Sequence, residues 1–511
     1  MNEPVSNPAD ALPPTAALPP MEELLAALER LAGDHRQLAD IPHELRRRLL
    51  AACGRISTPT AGERRTMVRA LRRRSNRERR AHDLEALMQA SLRRTRVENK
   101  VENPLLPRHA LPERADAPPL VMAPDAPPVE LVTPRACYVC KAPYTRVHFF
   151  YDSMCQACGD LNYGKRSERT DLRGRVALVT GGRVKIGQEI VKKLLACGAR
   201  VIVTTRFAAD AARRYAALPE FDDFRERLEI HGLDLRHTPS VERFCQHMLA
   251  HHERLDVLIN NACQTVRRPA AFYAHMLELE RRARLELAPG ESALLGGATG
   301  GQEQMPALLP DHAFAAELSQ LVLAPEDAQH DRALFPEHAY DVDGQQIDLR
   351  RVNSWRLRLA EVSTPELLEV QLVNAVAPFV LNARLKPLME RVPTRDKHIV
   401  NVSAVEGQFG RGTKTDKHPH TNMAKAALNM MTRTSAPDYL RAGIHMNSVD
   451  TGWVTDEDPA EHALRKEREG FQPPLDAIDG AARVCDPVLS GHNTGRHVHG
   501  LFLKDYAPTA W

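Results

Sequence analysis

The sequence predicts an α/β protein built on a doubly wound parallel sheet, with a small cysteine-rich module and basic helices placed before it. Three observations carry this. From Leu172 onward, short apolar runs alternate with amphipathic stretches, the pattern of strand–helix–strand crossovers. The first of those runs ends in a glycine-rich turn that opens a helix. Two CxxC pairs lie immediately upstream.

Composition sets the outer bounds. The chain has 511 residues, 43% hydrophobic and 26% charged, which supports a large core and excludes wholesale disorder. At about 150 residues per domain, two to four units are expected. No run approaches the ~18–20 uncharged apolar residues that span a bilayer. The opening Met-Asn-Glu-Pro lacks the basic-then-apolar pattern of a secretory leader, so a cytoplasmic protein without a membrane span is expected.

The first elements follow in chain order. Residues 1–20 hold six prolines and read as disordered. Residues 21–100 show apolar residues at helical spacing, among them Leu24, Leu28, Leu31, Met67, Leu71, Leu84, Leu87 and Met88. The net charge of +3 hides an asymmetry here: residues 41–100 carry 17 Arg/Lys against 6 Asp/Glu. Such a stretch is either a solvated helix face or a docking surface for an acidic protein partner. It contains no Phe, Tyr or Trp for base stacking, which argues against nucleic acid as the partner. Residues 101–134 hold nine prolines and read as a semi-stiff linker.

Residues 135–170 form the cysteine module. Cys137 and Cys140 are separated by 14 residues from Cys155 and Cys158. Two CxxC turns present four thiolates to one ion, so Zn2+ is expected in a closed, structural shell. A unit this short gains folding energy from its metal. His148 lies between the pairs, but four sulfurs already complete the shell.

Residues 171–511 form the sheet domain, interrupted at about 266–360 by a segment with a charged helical stretch and a glycine-rich break. Val176-Ala177-Leu178-Val179 reads as a buried strand leading into Thr180-Gly181-Gly182-Arg183-Val184-Lys185-Ile186-Gly187. Strand, tight turn and helix N-terminus together build the pyrophosphate site of a Rossmann fold. A second strand ends at Arg206, nineteen residues after Gly187. An acidic residue there would bind a ribose 2′-hydroxyl; arginine suits a 2′-phosphate, hence NADP(H). Arg183 and Lys185 add charge to the same loop.

These residues resemble the short-chain dehydrogenase/reductases from Gly174 to about Trp511. The glycine turn resembles that family's TGxxxGxG, with Lys185 at the middle glycine. Asp234-Leu235 resembles its adenine-holding pair, and Asn260-Asn261-Ala262-Cys263 its NNAG strand end. Asn374 matches the active-site helix asparagine, and Val449-Asp450-Thr451-Gly452 the segment flanking the nicotinamide. The resemblance implies a Rossmann sheet and hydride transfer between NAD(P) and a small carbonyl or alcohol substrate. It implies cofactor contacts from Thr180, Gly181, Ile186, Gly187, Asn261, Ala262 and Lys425, and a homo-oligomer.

Two positions depart from that pattern. The family serine falls at Ala404, with Ser403 one place early, and a one-residue shift on a strand points to the opposite face. The family tyrosine, four residues before Lys425, is Thr421. A threonine hydroxyl is too weak an acid to protonate a developing alkoxide. Lys425 retains its helix context and can still hold the nicotinamide ribose. His420 is a candidate replacement acid, alongside His418, Asp416, Lys417 and Lys414 on the same loop. The expected function is an NADP(H)-dependent oxidoreductase with a non-standard proton donor. The alternative is an NADP(H)-binding sensor or scaffold. Cys197, Cys245 and Cys485 read as core residues, Cys263 as a cofactor-adjacent thiol, and the tail histidines His492, His497 and His499 show no ligand spacing.

Overall fold

The computed structural model describes residues 20–98, 129–296, 312–323, 327, 333–336, 338–341, 343–412 and 414–511. The first 19 residues, most of the proline-rich segment and the glycine run at 297–301 lie outside these. The chain divides into two compact units, at residues 1–81 and 82–511.

The first unit is helical, as the spacing predicts: Met21–Gly33, His43–Ser57 and the start of Ala61–Met88. Among its described residues none is buried, and Leu25, Leu45 and Leu71 are each 57% exposed. Its arginines occupy solvated faces and pair only locally, as in Arg74–Glu78 at 2.8 Å.

In the second unit, eight strands form one sheet. β3 (Val176–Thr180), β4 (Arg200–Thr205), β5 (Leu228–Gly232), β6 (Val257–Asn260), β7 (Lys397–Ser403), β8 (Ile444–Asp450) and β9 (Phe502–Lys504) run parallel. A hairpin adds β10 (Ala507–Thr509) antiparallel at the edge, its turn made by left-handed Asp505 and Tyr506. The order is β10-β9-β8-β7-β6-β3-β4-β5. The chain reverses direction of winding between β3 and β6, and ligands of doubly wound sheets bind there, beyond the strands' carboxyl ends.

The strands are apolar throughout because both faces are covered. Val179, Val201 and Val203 point to one layer, with helices Lys185–Ala196 and Ala477–Thr494. Leu178, Ile202 and Leu258 point to the other, with Thr238–His251, Ala377–Glu390 and Pro419–Arg441. The period of two along each strand sorts neighbours between layers.

The cysteine module begins earlier than the proline content predicts. β1 (Glu130–Ala136) pairs antiparallel with β2 (Pro143–Arg146), taking in the end of the expected linker. Pro134 is tolerated because this is a two-stranded, mostly exposed ribbon, where a missing N–H costs no ladder bond. The helix Gln156–Ser167 follows. The module does not depend on a metal alone for its core. Tyr144, Tyr151 and Met154 pack in one cluster with Val454 and Leu475 of the sheet domain. Tyr151 Oη donates to Asp479 at 2.6 Å, and Arg166 grips Asp476 at 2.7 and 3.0 Å.

The last basic helix, Ser91–Glu98, also belongs here. Arg93 forms a buried pair with Asp152 at 2.5 Å, and Arg96 donates to the carbonyls of Pro473 and Leu475. These two arginines serve their own chain, not an outside partner.

The segment 266–360 contributes helices Ala274–Glu286, Pro289–Ser292 and His312–Leu318. Phe272, Tyr273, Met276, Ala316 and Phe335 gather around Phe207, just beyond β4. Its root is tied by charge. Arg267 binds Asp327 at 2.7 and 2.6 Å and Glu369 at 3.1 Å; Glu369 also binds Arg236, which binds Asp234 at 2.7 Å.

Candidate functional site

A cavity of about 1260 Å³ opens at the carboxyl ends of the strands. One end is formed by the glycine turn, Arg206 and Asp234; the other by Ser403, His418, Thr421 and Lys425.

The glycine turn is built for close approach. A Cβ at Gly187 would lie 2.0 Å from the Gly181 carbonyl oxygen, so only glycine fits. Lys185 takes φ +54°, the left-handed region that the family glycine would occupy without strain. Its Nζ stands 4.0 Å from Asp343 in the inserted segment. Thr180 Oγ1 accepts from the N–H groups of Asn261 and Ala262, both at 3.0 Å. The Asn261 amide donates back to the carbonyls of Thr180 and Gly181. These bonds strap the ends of β3 and β6 together around the turn.

The two arginines of this end have different fates. Arg183 is buried and committed to Asp210 at 2.5 Å and Gln345 at 2.8 Å. It therefore braces the loop and does not offer a free charge. Among the described residues Arg206 has no carboxylate partner: it donates to the Tyr273 hydroxyl at 2.9 Å and lies over that ring. Burial would raise the Tyr273 phenol, but Arg206 outweighs it and holds it below its ordinary value. Asp234 and Leu235 line the cavity, with the Asp234 carboxylate held by Arg236.

At the other end, Lys425 is buried with its Nζ donating to the Val402 carbonyl at 2.8 Å. Ser403 and Ala404 both line the cavity; the Ser403 hydroxyl lies 3.5 Å from the Lys425 carbonyl. Thr421 lines the cavity with a buried hydroxyl that has no hydrogen-bond partner among the described residues.

His420 does not reach the cavity. Its ring lies 3.3 Å from Glu366 of the helix Thr364–Gln371. The helix turns Thr421, Asn422 and Lys425 to the cavity, while His420 is taken up by Glu366. His418 takes that place. It precedes Pro419, the first residue of the helix, with φ +42°, and its N–H donates to Leu357 at 2.8 Å. Its ring stacks on Trp355, and the Asn422 side chain lies beside it. Burial lowers its pKa. Lys414 and Lys417 line the cavity; Asp416 instead pairs outward with Arg358.

Asn374 is buried in a π-helical turn, Leu372–Val376. It accepts from the Gln264 N–H at 2.8 Å and donates to the Gln264 carbonyl at 3.1 Å. It positions the loop after β6 and does not itself line the cavity. Such turns are frequent at functional sites but leave no sequence mark. Tyr138, Tyr273, Gln345 and Trp355 line the cavity from segments remote in sequence, and sequence reasoning missed them.

The four cysteines come together. Their sulfurs lie within 4.8 Å of one another, Cys140 and Cys155 at 3.7 Å. Burial would raise the Cys137 thiol, but N–H groups of Cys155, Cys140 and Val139 outweigh it and bring it to about 7. His148 is not a fifth ligand: its Nε2 meets Asp160 at 3.2 Å and its Nδ1 accepts from Phe150 and Tyr151. Cys197, Cys245 and Cys485 are buried, whereas Cys263 is exposed at the cavity.

Comparison with known proteins agrees with this geometry. The family described as "short chain dehydrogenase" matches residues 175–281, and that described as "Enoyl-(Acyl carrier protein) reductase" matches 352–472. The chain is 32% identical over 369 residues to Uncharacterized protein R665 of Acanthamoeba polyphaga mimivirus, covering 70% of this chain and 71% of that one. It is 35% identical over 98 residues to Retinol dehydrogenase 12 of Bos taurus, covering 18% and 30%, so it matches under a third of that relative's length. Among solved structures, the Pseudomonas aeruginosa RhlG/NADP active-site complex is 19% identical, covers 65% of this chain and 95% of that chain, and has a TM-score of 0.40. Carbonyl reductase Sniffer of D. melanogaster is 16% identical, covers 66% and 100%, and has a TM-score of 0.41. Scores this low carry no functional weight. Both matched segments fall within the sheet domain, which is similar over them to the short-chain dehydrogenases.

Proposed function

We propose that the protein is an NADP(H)-dependent oxidoreductase acting on a carbonyl or alcohol, with His418 moving the proton. The observation that carries this is the cavity joining Arg206, bonded to the neutral Tyr273 hydroxyl, at the adenosine end to Lys425, Thr421 and His418 at the other. Arg206 suits a 2′-phosphate, and the glycine turn leaves room for a pyrophosphate against backbone N–H groups. When bound, NADPH supplies the hydride.

The chain's own residues do the rest. Lys425 spends one hydrogen on Val402 and keeps two for ribose hydroxyls. The Thr421 hydroxyl hydrogen-bonds the substrate oxygen. In the oxidation direction the neutral His418 imidazole takes the alcohol proton; in reduction it returns that proton to the alkoxide. The four cysteines support the site from outside as a structural zinc shell. A Zn–S bond of about 2.3 Å places tetrahedral sulfurs roughly 3.8 Å apart, and the Cys140–Cys155 separation suits that.

Incubating the full chain with metabolite extract and NADPH deuterated at C4 tests the reading. A labelled product that Lys425→Ala and His418→Gln both fail to make is expected. No label, with NADPH binding confirmed in the same sample, favours a sensor instead. That second reading draws on the alanine at 404 and threonine at 421.

A further inference from the structure

Part of the cavity wall comes from the cysteine module and not from the sheet domain. Tyr138, inside the first CxxC turn, lines it together with Lys141. Tyr138 is clamped at both ends. Its N–H donates to the Ser153 carbonyl at 2.8 Å, and its Oη accepts from the Trp453 N–H at 2.9 Å. Gly452 makes the approach possible: a Cβ there would stand 3.1 Å from that hydroxyl and 2.4 Å from Leu475 Cδ1. The loop carrying Gly452 is itself fixed by Asp450, which accepts from Val405 and Gly452 at 2.7 and 2.8 Å. Lys504 bonds the same Asp450 at 3.4 Å and lies 5.5 Å from the Tyr138 ring centre.

One hydrogen is left over. The phenolic oxygen already receives an N–H, so its own hydrogen must be given elsewhere, and among the described residues no acceptor takes it. The clamped geometry leaves the cavity as its outlet. The family tyrosine is missing from position 421, yet the same cavity holds another phenol, delivered from a separate module.

We propose that Tyr138 is a substrate-contacting residue whose phenolic hydrogen is donated to an oxygen of the carbonyl or alcohol substrate. The cysteine module is then part of the reaction site as well as a fold element. The inference rests on the oxidoreductase reading for the class of substrate, but not for the contact itself.

The test uses the full, zinc-loaded chain labelled with 3-fluorotyrosine, saturated with NADP+, and titrated with acetophenone and 2-octanone. Tyr138→Phe identifies the Tyr138 fluorine resonance and keeps the ring. The expected result is a shift of that resonance on ketone addition, and at least 10-fold weaker ketone binding by Tyr138→Phe with NADP+ binding and zinc content unchanged. No shift with either ketone overturns the proposal, as does equal binding by the two proteins. If Tyr138→Phe does not fold, the wild-type spectrum decides by itself: a nine-tyrosine spectrum in which ketone moves no resonance overturns the contact. Deuteride transfer, measured separately, reports on the oxidoreductase reading. A Tyr138 shift without label transfer sinks that reading and leaves the contact standing.

Discussion

The imidazole of His418 lies flat on the indole of Trp355, with ring centres 3.9 Å apart and planes within 5°. The indole comes from the end of the inserted segment, so that segment fixes the group proposed to move the proton. Trp355→Ala is expected to lower kcat at least 10-fold while leaving NADPH affinity within about twofold. An unchanged kcat would remove the stacking from the mechanism.

His418 also sets a pH dependence. Its folded pKa is below the ordinary histidine value of about 6.5, so near neutrality the imidazole is mostly uncharged. Oxidation needs that neutral form and should be flat above about pH 6.5. Reduction needs the protonated form and should rise as pH falls below it. Opposed pH profiles for the two directions, both lost in His418→Gln, are the outcome to look for.

In the proposed function, Arg206 selects between cofactors. Losing a charge-assisted contact costs roughly 1.5–3 kcal/mol. Arg206→Ala should therefore weaken NADPH binding by about 10- to 100-fold and leave NADH binding unchanged, as read by cofactor fluorescence. Equal losses for both cofactors would place Arg206 elsewhere than at a 2′-phosphate.

Lys185 holds a left-handed backbone that costs about 1 kcal/mol or more for a residue with a side chain. Lys185→Gly should raise stability in urea by about that amount. A loss of stability instead would mean that the contact with Asp343 outweighs the strain.

A second cluster makes the fold acid-sensitive. His398 is fully buried, its Nε2 is 3.0 Å from His497 Nδ1, and His445 and His492 pack beside it. Burial lowers the pKa of each of the four, and neighbouring imidazoles add to it at His398 and His497, whereas Asp396 opposes it at His492. The unfolded chain therefore takes up protons before the folded one does. This stability is complete above about pH 6.5 and is lost as pH falls through the folded values. Melting temperature should drop between pH 7 and 5, and less so in His398→Gln if that variant folds. A flat melting curve over this range would contradict the cluster's effect.

Much of the sheet domain could be read from local pattern. Continuous apolar runs mark strands buried on both faces, and the turn at 180–187 needs glycine for contacts made within a few residues. The cysteine quartet is legible because two short turns carry it whole. What was hidden depends on register or on distance. His418 and His420 differ only in where the helix starts; Pro419, which fits the first helical turn, was the available clue. Arg183 looked like a cofactor residue because Asp210 and Gln345, which occupy it, lie in other elements. Tyr138 and Trp355 reach the cavity from stretches with no periodicity that points there.

The run of alternating charges Asp234–Arg236–Glu369–Arg267–Asp327 has an evolutionary reading. It joins the Asp234 end of the cavity to the root of the inserted segment through rungs that are partly or wholly buried. Removing one rung strands its neighbour's charge, which is far costlier than losing the pair together. Substitutions here are therefore epistatic. The inserted segment and the residues at the Asp234 end are expected to change in concert among relatives, so grafting that segment onto a similar sheet requires moving all five residues at once.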